Sequence, residues 1–237
     1  MIVYSRRVPH PAFNRNRSLP TTSRRPIDRA LRLYADQPLG IRAFVRARHL
    51  LCPLTTIETY VPPRGRILDL GCGHGLFSVL MAISSPERSI MGVEPSPVKM
   101  RIAATLSGKL TNVQFQQGTV DEVHEGPLDA ITILDVLYLL PVPEKLKILE
   151  RCRQLLRPEG KLVLKTNDTH PAWKYRWAWL QELAMTRIGL TMGEEALHFT
   201  SCTQTMGLLK EAGFRRIEVV HLPFLLPYPH TLFSCSP

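Results

Sequence analysis

The stretch ILDLGCGHGLFS, Ile67 to Ser78, sets Asp69, Gly71, Gly73 and Gly75 at intervals of two residues. The apolar ILDL reads as a buried strand, and LFSVLMAIS reads as a helix. Glycines at such a junction let a ligand lie against the backbone. A helix N-terminus there offers unpaired N–H groups and the positive end of a dipole. The dinucleotide pattern G-x-G-x-x-G is not met, because Leu76 stands where its third glycine would fall. The Gly-Lys-Ser/Thr of a P-loop is also missing. A second apolar run, SIMGVE, ends at Glu94, nineteen residues after Gly75. A carboxylate at that separation accepts hydrogen bonds from both ribose hydroxyls of an adenosine.

ILDLGCGHG, followed by GVEPS and later by LLRPEGKLVL, resembles the class I, seven-stranded, S-adenosylmethionine-dependent methyltransferases over about Arg66 to Lys165. The resemblance implies an α/β fold: a doubly wound, mostly parallel, Rossmann-like sheet of seven strands, with the last strand antiparallel. It implies that Asp69 and the loop Gly71, Cys72, Gly73 and Gly75 hold the methionyl part of S-adenosylmethionine. Glu94 would hold the ribose, with Pro95 beside it. The family often carries Gly-Asp after strand three. Here the stretch is QQGTVDEV, so Thr119, or backbone groups of Thr119 and Val120, would meet the adenine. Asp121 is expected to cap a helix over DEVHE.

Ligands of open α/β sheets bind beyond the carboxyl ends of the strands. The fourth strand ends in ITILDVLYLLP, which sets Asp135 and Tyr138 beside the expected methyl group. Asp135 is therefore a candidate for both cofactor binding and catalysis. Capping for Asp135 and core packing for Tyr138 are the structural alternatives. After the fifth strand, KTNDTHP offers Asp168 and His170 as a base, or Asp168 as a helix cap. His198 and His230 are weaker candidates, because a lone histidine is more often structural. No metal-ligand cluster is evident. Methyl transfer asks chiefly for positioning and exclusion of water, and a base only where the acceptor must lose a proton.

These residues need a frame. Strands are expected at RILDL, SIMGVE, NVQFQQG, DAITILD and KLVLKTN. Helices are expected at GLFSVLMAIS, SPVKMRIAATLSG and PEKLKILERCRQLL, the last closed by RPEG. Strands alternating with helices at this spacing build a parallel sheet covered on both faces. Before the sheet, IDRALRLYA, LGIRAFVRARHLL and LTTIETYV suit short helices. After it come a helix near Thr203 to Ala212 and two strands, FRRIEVVHL and HTLFSCS. The organisation is a basic arm over 1–26, a helical extension over 27–62 and the methyltransferase domain over 63–237. A helical lid is expected at about 170–200, where Trp173, Trp177, Leu180, Ala184 and Ile188 form an apolar stripe.

The chain has 237 residues and a net charge of +10. Met1 to Arg66 holds 13 Arg, no Lys and 3 acids, so this segment accounts for the whole excess. Such an arm is attracted to phosphates of nucleic acid or of an anionic membrane. Its composition also touches that of a transit peptide, but four prolines interrupt any amphipathic helix. Five scattered cysteines, none in C-x-x-C spacing, point to a reducing, cytoplasmic setting. The stretch DVLY is not the tetrapeptide of base-amino methyltransferases. The acceptor is expected to be a small, hydrophobic, aromatic or lipid-like molecule, methylated on oxygen or carbon. RNA methylation through the arm and a non-catalytic cofactor-binding scaffold are the alternatives.

Overall fold

The computed structural model describes residues 3–4, 25–170, 172, 173, 176, 180, 197–222 and 229–237. The strands are β1 (Val3–Tyr4), β2 (Gly65–Leu70), β3 (Arg88–Glu94), β4 (Val113–Gln117), β5 (Leu128–Leu134), β6 (Leu156–Asn167), β7 (Arg216–His221) and β8 (His230–Ser236). They form one sheet in the order β1-β7-β8-β6-β5-β2-β3-β4. The pairs β5–β6, β2–β5, β2–β3 and β3–β4 are parallel. β8 runs antiparallel to both β6 and β7. The expected seven strands are therefore present. The two-residue β1, which pairs with Glu218 and Val219 at the sheet edge, makes an eighth. That edge strand falls inside the arm read as irregular. Residues 5–24 of the arm lie outside the described residues.

The helices are α1 (Pro26–Arg32), α2 (Leu39–Leu51), α3 (Leu54–Glu58), α4 (Leu76–Ser84), α5 (Pro97–Ser107), α6 (Val142–Leu155) and α7 (Cys202–Glu211). Their starts follow local chemistry. Ser96 accepts from the Lys99 N–H ahead of Pro97, and Ser201 accepts from the Gln204 N–H at α7. Gly75, with φ +83°, begins α4.

Two-residue strand periodicity sorts the core. One buried cluster takes Ile67, Ala130, Leu134, Val163 and Leu232, and packs under α1 to α4. The other takes Leu68, Ile131, Ile133, Leu162, Leu164 and Phe233, and packs under α6 and α7. Asp69, Thr132, Lys165, Asn167 and His230 share the parity of the first set. They therefore sit on the face covered by the N-terminal helices, near the carboxyl ends of the parallel strands.

Three expectations change. RPEG does not end α6 as a turn: Arg157–Gly160 belong to β6, whose Leu156 pairs with Leu128 before a register irregularity. Asp121 is not a cap; Thr119 precedes the 3-10 helix Val120–Glu122 and donates its N–H to Glu122 Oε2 at 2.7 Å. The lid over about 170–200 lies mostly outside the described residues. Of that stretch, Ala172, Trp173, Arg176 and Leu180 are helical and exposed. Among the described residues, no helix is long and apolar enough to cross a membrane.

Candidate active site

β2 ends in the glycine loop, and the three glycines are small for different reasons. All have positive φ, at +71°, +59° and +83° for Gly71, Gly73 and Gly75. A Cβ on Gly71 would strike the Val136 side chain at 2.4 Å, and one on Gly75 the Phe115 ring at 2.7 Å. Those two glycines are dictated by the protein's own packing. A Cβ on Gly73 would meet nothing within 4 Å. Gly73 thus lies bare against open space, as a backbone that receives a ligand should.

Glu94, at the end of β3, faces the same space and is buried. Its Oε2 accepts from the Gly73 N–H at 2.9 Å, and its Oε1 from the Ser96 N–H at 3.1 Å. Each oxygen keeps a further lone pair for a ligand hydroxyl. Asp69 is buried and lines the same space. Its oxygens accept from Ser78 Oγ of α4 at 2.5 Å and Thr132 Oγ1 of β5 at 2.7 Å. It fixes the strand-to-helix junction. Burial pushes its carboxyl upward, while the two hydroxyls pull it back.

A cavity of about 240 Å³ runs from this loop under α2. Asp69, Gly71, Cys72, Gly73, Glu94, Pro95, Asp135 and Tyr138 line it. Gly75, Thr119, Val120 and His170 do not. Thr119 and His170 are exposed. His170 meets only the neighbouring Thr169 hydroxyl among the described residues. Asp168 accepts from the backbone N–H of Cys202, so it caps α7. His198 is held by its backbone: its N–H donates to Tyr138 O at 2.7 Å, and its carbonyl accepts from Lys145 Nζ. Tyr138 stacks on Phe199, with centroids 4.7 Å apart.

The cavity also holds a charged cluster that sequence reading did not assemble. Asp135, with φ +59°, is ion-paired to Lys165 Nζ at 2.5 Å and to Arg48 Nη1 at 2.7 Å. Burial alone would raise its carboxyl, but Lys165 and Arg48 outweigh that and hold it well below the usual carboxylate range. Held ionised by its two cations, Asp135 is a poor base. Lys165 also donates to Asn167 Oδ1 at 3.1 Å, and His230 Nδ1 donates to the same oxygen at 3.1 Å. Burial, with Lys165 second, pushes His230 down to about 3, so its imidazole is neutral near pH 7. His74, on the glycine loop, is pushed down to about 4 by burial and Lys99. Its ring lies 4.8 Å from Phe44 of α2.

Arg48, Lys165, Asn167, Phe44 and His74 are the residues missed. Lys165 left one signal: a lysine inside the near-continuous apolar run KLVLKTN needs a buried partner. Arg48 left none, because it is one of thirteen arginines between Met1 and Arg66.

A bare glycine cradle, a strand-end carboxylate and a parallel sheet closed by an antiparallel strand together define the class I S-adenosylmethionine-dependent methyltransferases. Residues 41–219 match the family described as Methyltransferase domain, and the chain belongs to that family. Among its relatives is a ubiquinone biosynthesis O-methyltransferase of Xanthomonas campestris pv. campestris (strain B100), 33% identical over 113 residues, 46% of each chain. Another of that name, from Sodalis glossinidius (strain morsitans), is 27% identical over 167 residues, 67% of this chain and 63% of the relative. The chain spans about half the length of the first of these relatives. The pyocyanin biosynthetic protein PhzM shares the fold, with a TM-score of 0.66 at 18% identity over 87% of this chain and 61% of that one. S-adenosylmethionine is the cofactor of the family. The open space at Gly73 and the spare acceptor capacity of Glu94 fit it.

Proposed function

We propose that the protein transfers the methyl group of S-adenosylmethionine to a hydroxyl oxygen of a small, apolar or aromatic molecule. The observation that carries this reading is the wall of the cavity beside the glycine loop. Phe44, Val45, Leu51 and Leu54 from the N-terminal helices, with Leu76, Phe77, Tyr138 and Leu139, make it largely apolar. Relatives named O-methyltransferases support oxygen as the acceptor atom.

When bound, the cofactor supplies an electrophilic methyl carbon on a sulfonium, whose C–S bond breaks with its electron pair going to sulfur. The chain's own residues bind, orient and exclude water. Glu94 takes the ribose hydroxyls. Gly73 leaves its backbone bare for the methionyl part, and α2 roofs the acceptor space through Phe44 and Arg48. Thr119, Val120 and His170 stand outside the cavity lining, and this reading gives them no role.

The test is calorimetric titration with S-adenosylmethionine and S-adenosylhomocysteine, with NAD as control. Turnover is then assayed on a panel of phenols and catechols by the gain of one CH2 in the product mass. Binding of the first two ligands and methylation of a member of the panel is the expected outcome. Selective NAD binding would reject the reading.

A further inference from the structure

We propose that the Arg48–Asp135–Lys165 cluster is an oxyanion site, so that the acceptor is an acidic phenol or enol bound with its hydroxyl already ionised. This rests on the reading above that the cavity holds the acceptor. Arg48 and Lys165 carry two positive charges, and Asp135, paired to both, returns one. Asp69 is a second carboxylate, near enough for Arg48 to pull its pKa down, and Glu94 and Lys99 also line the cavity. His230, Asn167, Tyr138 and Cys52, whose thiol burial pushes up, complete the surroundings.

The donors at this cluster do not balance. Lys165 Nζ is buried, with 1% of its side chain exposed, and carries three N–H groups. Asp135 and Asn167 take two of them. The third has no acceptor among the described residues, and Lys165 lines the cavity. Arg48 Nη1 meets Asp135; Nε and Nη2 meet no acceptor among the described residues. A buried ammonium with an unused N–H that faces a cavity is costly unless an acceptor, best an anion, completes it. Asp135 sits in the left-handed region, which a non-glycine residue occupies where the surroundings force it. There it pairs with both cations.

An oxyanion that accepts from Lys165 has already given its proton to solvent. The acceptor oxygen then needs no base in the protein, which agrees with an Asp135 held ionised by its cations and a His230 poorly able to take a proton. An opposite charge within ~4–6 Å lowers an acid's pKa by roughly 1–3 units. The probe is 4-nitrophenol, whose phenolate absorbs in the visible where the phenol does not. With S-adenosylhomocysteine present, and at a pH below the free dye's own pKa, the wild-type protein is expected to bind the dye as phenolate. Its bound pKa should fall by roughly one unit or more. Lys165→Met and Arg48→Met should bind it neutral or lose it, while Lys165→Arg restores the phenolate. S-adenosylhomocysteine affinity in each variant reports that it is folded. Neutral dye or no dye in the wild-type site, or phenolate retained in both Met variants, would overturn the proposal. If the Met variants instead lose S-adenosylhomocysteine while staying folded by circular dichroism, the cations hold the cofactor's carboxylate and the proposal fails. If the wild-type protein does not bind S-adenosylhomocysteine at all, it is the cofactor reading that fails.

Discussion

Gly73 carries the sharpest prediction at the scale of single residues. Its neighbours Gly71 and Gly75 are pinned by Val136 and Phe115, so substituting either would disturb the fold and the ligand site together. At Gly73 the space beyond a Cβ is open, so the protein should tolerate a side chain. The cost is that of a left-handed conformation, about 1–2 kcal/mol. Gly73→Val should therefore stay folded and lose S-adenosylhomocysteine binding, read by urea unfolding and calorimetry on the same sample. Unchanged affinity would move the ligand away from this loop. His230 makes a prediction about pH. Its folded pKa, about 3, lies below the ordinary histidine value of about 6.5. Below pH ~6.5 the unfolded chain takes up a proton that the folded one refuses. Its contribution is thus complete above that pH and is lost as the pH falls toward 3. His74 acts in the same sense. His230→Gln should flatten the fall in the unfolding midpoint between pH ~6.5 and ~4, leaving only the share of His74 and the carboxylates. An undiminished slope would mean that His230 is not held neutral.

At the scale of elements, α1 acts on the site without lining it. Tyr34, just past its end, is fully buried and donates its hydroxyl to His74 O at 2.8 Å, propping the glycine loop from behind. Tyr34→Phe removes only that bond. It should cost about 0.5–1.5 kcal/mol of stability, and weaken S-adenosylhomocysteine by a similar amount if the loop loosens. Calorimetry that finds stability reduced but affinity intact would show the loop holding its shape without the prop. The elements themselves were largely legible. Leu39–Leu51 and His230–Ser236 match their sequence boundaries, because LGIRAFVRARHLL and HTLFSCS are bounded by Pro38 and Pro229 on one side. RPEG misled because proline and glycine usually mark a turn, whereas here β6 starts directly at Leu156 through a backbone pair with Leu128. Glu94 and the loop could be read because strand, glycines and acid are close in sequence. The Arg48–Asp135–Lys165 cluster could not, because its members are far apart in the chain and only the sheet order and the path of α2 bring them together.

At the scale of the whole molecule, the N-terminal helices and the sheet share one core. Ile27, Ala30 and Tyr34 from the α1 region, Val45 of α2 and Leu54 and Ile57 of α3 belong to the same buried cluster as Ile67, Leu76, Leu80 and Val163. Arg88, at the start of β3, ties the pieces further. Its buried guanidinium pairs with Glu58 of α3 and donates to the carbonyls of Val61 and Pro62. An element that supplies part of a shared core cannot unfold alone without exposing the rest. The chain should therefore melt in one cooperative transition rather than as a helical extension followed by a sheet. The cavity lies between these parts, so a ligand filling it stabilises both. S-adenosylhomocysteine at about 100 times its dissociation constant should add about 2.7 kcal/mol. For a chain of this size that raises the melting temperature by roughly 5–10 °C. NAD at the same concentration should leave it unmoved. Scanning calorimetry separates the alternatives: two transitions, with only the later one shifted by the ligand, would mean that α1 to α3 pack on the domain without belonging to it, and that the roof of the cavity is not fixed by the fold.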